Sequence, residues 1–484
     1  MIRFTQKTPR NTIWISAISL LCLLCAAFYS TGFHQIDEHF QILEYAGLKL
    51  GLTTLDKLPW EFHEKMRPAF QPAIAFITYK VFSFLSSPNP FWVTTALRVL
   101  SALLSFWSMV WVFLAFKKQI TSPLLQQWFL WLSFLTWFLF YNHVRFSSEN
   151  WAGVFFCLGV SYFFLTTTFK TRKVFFVGIF FGLSFLCRFQ AALLILGFFL
   201  WLVLIFKASP AKILSLLFGF LVVSLFGILL DHWLYGDWPL TALNYFKQNI
   251  VINKVDTFGV NPWWFYIKKL CEDAIPPFSL MIPVSFLAYF FIQPKGALTW
   301  ALIPFVVVHF LIGHKETRFL FPLIGLVPFI VIYFLQFLET KTLSFDTPLA
   351  KKAMGTYLFL NLFFSLFVIL RPAKGNIALY HSLYELYPEP TVLYYRFRDP
   401  YFEVFSFHFY SRPTLKTQKT SSFSTIPKLT TQRSLLASTL FDRELEAHLN
   451  AARIYATYPD WLYVFHDKGW IRLGNTFFID EVVR

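Results

Sequence analysis

The chain alternates between long apolar segments and shorter polar ones. Eleven of the apolar segments have about the length of a membrane-spanning helix, for which about 20 residues are needed. We predict an α-helical polytopic membrane protein with about 11 transmembrane helices. The first helix is expected to be retained, because no small-residue cleavage site follows it. The predicted spans are residues 12–30, 92–116, 125–141, 151–169, 174–190, 191–206, 213–230, 276–292, 297–313, 319–337 and 355–371.

One further apolar segment, at residues 68–85, does not fit the alternation of successive loops between the two sides of the membrane. Lys and Arg concentrate in the cytoplasmic loops of membrane proteins, and a full crossing at 68–85 would place Lys117 and Lys118 on the opposite side. We therefore predict that this segment is re-entrant or interfacial. The same rule puts four polar loops and everything after Arg371 on the non-cytoplasmic side. These loops are residues 34–67, 142–150, 231–276 and 313–318.

The C-terminal segment is polar and contains no apolar run of membrane length. Its runs at 391–395 and 461–465 have the β-branched and aromatic residues typical of strands. Residues 416–431 are rich in Ser, Thr and Lys, which indicates a flexible loop. We predict a membrane-embedded domain at 1–371, with its first extracytoplasmic loop at 31–67, and a small extracytoplasmic α/β domain at 372–484.

The composition supports a membrane protein and excludes a soluble one. Of the 484 residues, 56% are hydrophobic and 14% are charged, which is too little charge for a soluble protein of this size. The formal net charge is +16, but the basic residues form short clusters between apolar segments, where they meet anionic lipid. We expect membrane lipids as partners and no nucleic acid. Four of the five cysteines lie in apolar segments, so neither a disulfide framework nor a zinc site is predicted.

Asp37 and Glu38 directly follow the first apolar segment. A carboxylate at a water-facing membrane boundary can accept a proton from a hydroxyl group, so we predict a catalytic role for this pair. Two alternatives stay open. The pair would also suit the N-terminus of a helix over residues 38–50. With His34 and His39 it forms a group of metal-ligand types, although without an established spacing.

Residues near the end of the first loop and in two later loops could contact a substrate. Aromatic rings stack on the apolar faces of sugars, while amides and charged groups bind their hydroxyl groups. Structural alternatives are an amphipathic interfacial segment at 60–67, a paired surface turn at 145–149 and an interfacial aromatic belt within 231–276. The predicted substrate-binding residues are Trp60, Glu61, Arg67, Arg145, Glu149, Asp231, Tyr235, Asn244 and Trp263.

His314, Lys315 and Arg318 precede the tenth predicted span. Arg can bind two phosphate oxygens at once and Lys supplies a point charge, so this cluster suits a lipid phosphate. The concentration of Lys and Arg in cytoplasmic loops does not explain cations on the non-cytoplasmic side. We predict that these three residues bind the phosphate of a donor. The alternative is that their side chains only extend along the apolar surface to the membrane interface.

Together, several stretches resemble the family 22 glycosyltransferases, the polyprenyl- or dolichyl-phosphate-mannose-dependent α-mannosyltransferases. The resemblance covers about residues 30–325 and implies the C-type glycosyltransferase fold, with an active site on the non-cytoplasmic face. It also implies an inverting, metal-independent reaction without a cofactor. By its motifs, Asp37 would be the base or the carboxylate that positions the acceptor, Glu38 its neighbour, and residues 314–318 the contact with the donor phosphate. The matching stretches are HQIDEHFQILEYA, LPWEFHEKMRP, DHWLYGDWPLTALNYFKQN, NPWWFYI, HKETRFLFP and the turn at 145–149.

This resemblance leads to a prediction of function. We expect a hexosyltransferase, specifically a mannosyltransferase, that uses a polyprenyl-phosphate sugar and a lipid-linked or cell-envelope glycan acceptor. A transporter or flippase of lipid-linked sugars is the alternative, because it would bind the same groups without breaking a bond. No internal repeat of the kind common in transporters is visible in the sequence. We predict a bacterial inner membrane location, with the endoplasmic reticulum membrane as the alternative.

Overall fold

The computed structural model shows a mostly helical protein with one small β-sheet. It describes residues 10–85, 88–165, 170–273, 275–276, 278–341, 343–402, 406–422, 433–439, 451–458, 460–469 and 476–482. The α-helices are α1 (Arg10–Tyr29), α2 (Glu44–Leu50), α3 (Trp60–His63), α4 (Phe70–Leu85), α5 (Pro90–Phe116), α6 (Pro123–Leu135), α7 (Trp137–His143), α8 (Ser148–Leu165), α9 (Thr171–Cys187), α10 (Ala192–Leu200), α11 (Pro210–Tyr235), α12 (Thr241–Phe246), α13 (Phe265–Asp273), α14 (Met281–Ile292), α15 (Ala297–Leu311), α16 (Val327–Lys341), α17 (Pro348–Leu370), α18 (Gly375–Leu386) and α19 (Asp460–Asp467).

Shorter helical types connect several of these helices. π-helical turns lie at His39–Leu43, Trp201–Ile205 and Lys247–Val251. 3₁₀ turns lie at Leu55–Lys57, Lys117–Gln119, Phe189–Ala191, Lys254–Phe258, Phe278–Leu280 and Thr317–Leu326.

Among the described residues, helices occupy most of each of the eleven intervals that the sequence predicts as spans. The chain is a multi-pass membrane protein, as predicted. The segment at 68–85 forms the regular helix α4, whose 16 residues are fewer than the about 20 that a perpendicular crossing requires. Within the described residues, the helical segments long and apolar enough to span a membrane are Arg10–Tyr29, Pro90–Gln119, Pro210–Tyr235, Thr317–Lys341 and Pro348–Leu370.

The span predicted at 125–141 is not one regular helix, because the chain breaks there into α6 and α7. Thr136 lies between them with extended backbone angles (φ −77°, ψ 129°). Asn361 of α17 satisfies the backbone groups that the break releases. Its side-chain oxygen accepts a hydrogen bond from the Trp137 N–H at 2.9 Å, and its amide donates to the Leu135 carbonyl at 2.6 Å.

The chain divides into two compact units. The first comprises Met1–Ser30, Glu64–Ile74 and Thr95–Arg371, and the second comprises Thr31–His63, Ala75–Thr94 and Pro372–Arg484. One boundary coincides with the domain boundary predicted after Arg371. The second unit also contains Thr31–His63, which was predicted to belong to the membrane domain. Within this unit, the Ala373 N–H donates to the Thr31 carbonyl at 2.7 Å, which joins the start of this segment to the C-terminal region.

Local sequence defines the ends of the long helices in the first unit. Ser209 is extended and Pro210 occupies the first turn of α11, where its missing N–H costs no hydrogen bond. Gly236 ends this helix in the left-handed conformation, at φ 79°. α11 packs closely on α9, because a Cβ atom at Gly178 would lie 2.1 Å from the Leu216 carbonyl oxygen. Small residues that allow such close approach are typical of helix pairs in membranes.

The second unit contains a five-stranded mixed sheet in the order β2-β1-β3-β5-β4. β1 is parallel to β2 and β3, and β5 is antiparallel to β3 and β4. With its helices, this sheet confirms an α/β segment in the C-terminal region. The strands are β1 (Thr391–Tyr395), β2 (Leu415–Lys419), β3 (Arg433–Ser438), β4 (Ala451–Ala456) and β5 (Phe478–Val482).

Two local predictions in this region need correction. The strand at 391–395 is confirmed as β1, but 461–465 lies in helix α19. A five-residue apolar run does not distinguish a strand from one side of a short helix, and here Tyr463 is buried against Phe478. Part of the loop predicted at 416–431 is strand β2, and residues 423–431 lie outside the described residues.

Candidate functional site

Asp37 begins the helical segment of the second unit that continues through the π turn His39–Leu43 and α2 to Leu50. Asp37 and Glu38 are half-buried, and His34 is exposed. The Glu38 carboxylate accepts hydrogen bonds from the backbone N–H groups of His34 (3.0 Å) and Gln35 (3.2 Å). These bonds hold the turn that precedes the helix; they are not the helix capping considered as an alternative, because both donors lie before Asp37 and Glu38 makes no side-chain cap bond to the π turn. Asp37 stands at the helix start with part of its surface open to solvent.

The alternative of a metal site at His34, Asp37, Glu38 and His39 gains no support. His39 is buried, and its Nε2 lies 2.7 Å from Oε1 of Glu44, which is buried as well. His39 is thus engaged inside the unit, whereas His34 faces solvent. Within the described part of the chain, no group of three or more His, Cys, Asp or Glu side chains is placed to hold a metal ion.

Two of the predicted substrate-binding residues, Trp60 and Glu61, lie in α3 of the same unit. Both are partly exposed. The Glu61 carboxylate accepts a hydrogen bond from the side-chain amide of Gln41 at 3.2 Å. Gln41 belongs to the π turn that follows Asp37, so this contact connects α3 to the helix that carries Asp37.

In the first unit, five ionisable side chains form a connected group, which we call the charge cluster: Glu149, Arg188, His314, Glu316 and Arg318. Oε1 of Glu149 lies 2.6 Å from Nη1 of Arg188 and 3.3 Å from Nη1 of Arg318. Glu316 accepts from Nε (2.8 Å) and Nη2 (3.0 Å) of Arg318. His314 Nε2 lies 3.2 Å from Oε1 of Glu316. Carboxylates thus contact all three nitrogens of the Arg318 guanidinium group.

Three segments distant in sequence supply the charge cluster. Glu149 lies in the first turn of α8, and Arg188 follows the last residue of α9. Arg318 lies at the start of the 3₁₀ turn Thr317–Leu326, which α8 approaches closely at Gly153. A Cβ atom at Gly153 would lie 2.6 Å from the Pro322 Cα, so only glycine permits this approach.

Arg188 is absent from the predicted site residues, although the structure makes it a central member of the charge cluster. Its side chain is 6% exposed, and its guanidinium carbon lies 5.2 Å from the centre of the Phe319 ring. The sequence contained a usable signal, because a lone Arg inside an apolar run is expensive to bury without a partner. The sequence did not identify that partner, which is Glu149.

Lys315 is buried beside the charge cluster. Its ammonium group donates to the backbone carbonyls of Asn261, at 3.1 Å, and Ile312. Asn261 in turn donates from its side chain to the Lys315 carbonyl at 3.3 Å. Desolvation lowers the pKa of Lys315 below its ordinary value, while the nearby Asp256 carboxylate opposes the shift. These contacts bring together two loops that were predicted separately, 231–276 and 313–318.

Asp231 and Tyr235 are the two predicted substrate-binding residues at the end of α11, and both contact the chain itself. The Asp231 carboxylate accepts from the Ala69 N–H at 2.8 Å and from the Thr241 hydroxyl at 2.6 Å. The Tyr235 hydroxyl donates to the carbonyl of Arg67 at 2.8 Å. These hydrogen bonds fix the segment around Arg67 to the loop that begins at α11.

The remaining predicted residues divide between interior and surface. Arg145 is buried and donates to the carbonyl and hydroxyl oxygens of Ser30. Glu149 is buried as well, so the alternative of an exposed turn at 145–149 is wrong. Asn244 donates to backbone carbonyls of the segment 64–65 at 3.2 Å. Trp263 is 65% exposed, as expected for a ring in an interfacial belt or on a ligand-binding surface.

Residues 13–414 match the Alg9-like mannosyltransferase family. The chain belongs to this family. The resemblance to family 22 glycosyltransferases is therefore confirmed, over a longer part of the chain than the motifs had indicated.

Curated relatives of this Alg9-like chain carry mannosyltransferase names. The GPI alpha-1,2-mannosyltransferase 3 of Homo sapiens is 25% identical over 363 residues, which cover 70% of this chain and 59% of the relative. The GPI mannosyltransferase 3 of Yarrowia lipolytica is 26% identical over 304 residues, which cover 62% of this chain and 58% of the relative. The chain thus spans about three fifths of the length of these relatives.

Solved structures with a similar fold include ArnT from Cupriavidus metallidurans. The ArnT crystal structure bound to undecaprenyl phosphate matches with a TM-score of 0.55 and 11% identity, covering 98% of this chain and 99% of ArnT. The apo state matches with a TM-score of 0.52 and 10% identity, covering 97% of each chain. This likeness confirms the predicted C-type glycosyltransferase fold with a small C-terminal sheet.

Proposed function

We propose that the protein is a membrane α-mannosyltransferase that transfers mannose from a polyprenyl-phosphate donor to a hydroxyl group of a lipid-linked glycan. The observation that carries this proposal is the family match over residues 13–414. The names of the curated relatives add support, and they suggest a glycolipid acceptor of the GPI type. Undecaprenyl phosphate bound to ArnT supports a polyprenyl phosphate as the lipid part of the donor.

In the proposed reaction, Asp37 acts on the acceptor. A sugar hydroxyl is a weak nucleophile, and a positioned carboxylate that takes its proton makes the oxygen reactive. The oxygen then forms a bond to the anomeric carbon from the side opposite the phosphate, and the bond from that carbon to the phosphate oxygen breaks. The bonding electrons leave with the lipid phosphate. One displacement of this kind inverts the anomeric configuration.

The proposed roles of Lys315 and Arg318 concern the leaving group. The lipid phosphate gains negative charge as it leaves, and fixed cations stabilise that charge most effectively where water is excluded. Lys315 and Arg318 are both buried and both held by several hydrogen bonds. Side chains that are already oriented lose little entropy on binding. We propose that Arg188 supports this group through its contact with Glu149.

We place the proposed reaction on the non-cytoplasmic face, following the distribution of basic residues between the apolar segments. The curated relatives named above come from a mammal and a yeast. They support the endoplasmic reticulum alternative and give no support to the bacterial inner membrane.

The test is a transfer assay with purified protein in detergent. The donor is polyprenyl phosphate carrying radiolabelled mannose, the acceptors are a panel of lipid-linked glycans, and EDTA is added to half of the samples. We expect wild-type transfer to persist in EDTA, and Asp37→Asn to lower the rate by about a hundredfold or more. The matched control is Asp56→Asn, which changes an exposed carboxylate of the same loop and should leave the rate unchanged.

Wild-type turnover by a folded Asp37→Asn variant would remove Asp37 from the mechanism. A wild-type protein that binds the labelled donor but releases no glycosylated product with any acceptor would favour the transporter interpretation, which none of the comparisons supports.

A further inference from the structure

The helix that carries Asp37 is irregular directly after Asp37. Residues His39–Leu43 form a π turn before the regular helix α2 begins at Glu44. A π turn accommodates an additional residue in the helix and has poorer hydrogen-bond geometry than an α-helix, so it persists only where other contacts hold it. Besides the Gln41–Glu61 hydrogen bond, contacts that hold this turn come from residues 407–410, which lie far along the chain but in the same unit.

We call the contacts between the π turn with Glu44 and residues 407–410 the anchor. Glu44 provides its polar part. Its Oε1 accepts hydrogen bonds from the backbone N–H groups of His408, at 2.8 Å, and Phe409, at 3.0 Å. The same oxygen lies 2.7 Å from Nε2 of His39. Glu44 is only 2% exposed. Because three donors converge on one buried oxygen, loss of the carboxylate would leave all three without an acceptor.

His39 provides the aromatic part. Its ring is 1% exposed, stacks on Tyr410 at 5.2 Å between centroids and contacts Phe407 at 4.7 Å. Among the described residues its Nδ1 has no hydrogen-bond partner. We assign a ring hydrogen to Nε2, since it then points to the Glu44 carboxylate.

We infer that Glu44 and His39 are positioning residues for Asp37, and that they act by fixing the π turn to residues 407–410. This inference rests on the proposed function for the chemical role of Asp37. It gives residues 407–410 of the C-terminal segment a role in catalysis that acts through the position of Asp37. Asp37 lies two residues before His39, so a shift of the turn moves its carboxylate, and a displacement of about 1 Å can lower a rate about a hundredfold.

The test compares substitutions that remove or retain the acceptor. Glu44→Ala removes it, whereas Glu44→Gln keeps an oxygen for the same donors. We expect Glu44→Ala to lower kcat by about a hundredfold with KM for the donor nearly unchanged, and Glu44→Gln to restore most of kcat. The control is Glu385→Ala, which disrupts the exposed His381–Glu385 pair (2.9 Å) in the same unit and should change neither parameter.

Two further measurements keep the inference testable if Glu44→Ala folds poorly. His39→Phe retains an aromatic ring in the cluster but removes the Nε2 donor, and we expect an intermediate loss of kcat. Hydrogen–deuterium exchange measures how firmly the anchor holds residues 37–50, and it does not require a catalytic assay. Both variants should exchange faster than wild type over residues 37–50. Folded variants with wild-type kcat, or with unchanged exchange at 37–50, would overturn the inference.

Exchange also separates this inference from the proposed function. If wild-type protein transfers no sugar but the variants exchange faster at 37–50, the anchor stands as a structural feature and the proposed reaction is wrong. If transfer occurs, depends on Asp37 and is unaffected by Glu44→Ala, the reaction stands and the positioning role is wrong.

Discussion

The start of the Asp37 helix and the charge cluster differ in how far their charged side chains are exposed to solvent. At the start of the Asp37 helix, Asp37 and Glu38 are partly open to solvent, and the buried pair behind them is held by backbone groups and aromatic rings. In the charge cluster, Glu149 is 2% exposed, and buried ions neutralise one another. A half-exposed carboxylate can be altered with little loss of stability, whereas a buried ion cannot lose its partner without a large cost. The same type of substitution should therefore affect activity in one region and folding in the other.

The largest effect on stability is expected for Glu149→Ala. This change leaves the buried guanidinium groups of Arg188 and Arg318 without their shared carboxylate, which typically costs about 3–5 kcal/mol. We expect a clear fall in the thermal unfolding midpoint of the purified protein in detergent. The control is Glu272→Ala, which removes an exposed carboxylate paired with Lys268 and Lys269 and should not shift the midpoint measurably. Equal midpoints for the two variants would contradict the burial of the cluster.

An intermediate effect is expected for Asp231→Ala, because this carboxylate accepts two hydrogen bonds but has no described ion-pair partner. Leaving the Ala69 N–H and the Thr241 hydroxyl unsatisfied should cost about 1–3 kcal/mol. Asp231→Asn keeps one accepting oxygen and should cost less. A substrate-binding role predicts the reverse pattern, with an unchanged unfolding midpoint and a raised KM for donor or acceptor.

The smallest effect is expected for Asp237→Asn, which breaks the ion pair of Asp237 with Lys65. These side chains are 50% and 39% exposed, and exposed pairs contribute about 0–1 kcal/mol. The unfolding midpoint should change little at low salt and not at all at high salt, because added salt screens the pair. A large, salt-independent change in the unfolding midpoint would mean that the burial of charged side chains does not explain the difference between the two regions.

The sequence was sufficient for features that depend on local pattern. The span predicted at 213–230 lies inside α11, and Ser209, Pro210 and Gly236 favour the conformations found at the ends of this helix. The break at Thr136 could not be predicted, because no Pro or Gly marks it. Asn361 stabilises the break from more than 200 residues away, and an apolar run contains no information about such a partner.

The candidate site shows the same limit. The motifs selected Asp37 and Arg318 because their residue types suit the chemistry. They did not select Arg188 or Glu44, whose importance in the structure depends on what each one contacts. Tertiary packing decides which distant segments contact each other. A single sequence shows which residues are present, but it does not show which of them form a pair.

The π turn after Asp37 also constrains how this stretch can change in length. Each residue of an α-helix advances the chain by about 100° around the helix axis. Deleting one residue from His39–Leu43 would convert the turn to regular α-helix and leave Asp37 at nearly the same angle relative to Glu44, because the π turn holds one residue more than the α-helical turn that would replace it. The same deletion in a regular α-helix would rotate the two carboxylates apart by the full step of one residue. The direction of Asp37 relative to Glu44 should therefore survive the loss of one residue here, which it would not do in a regular helix.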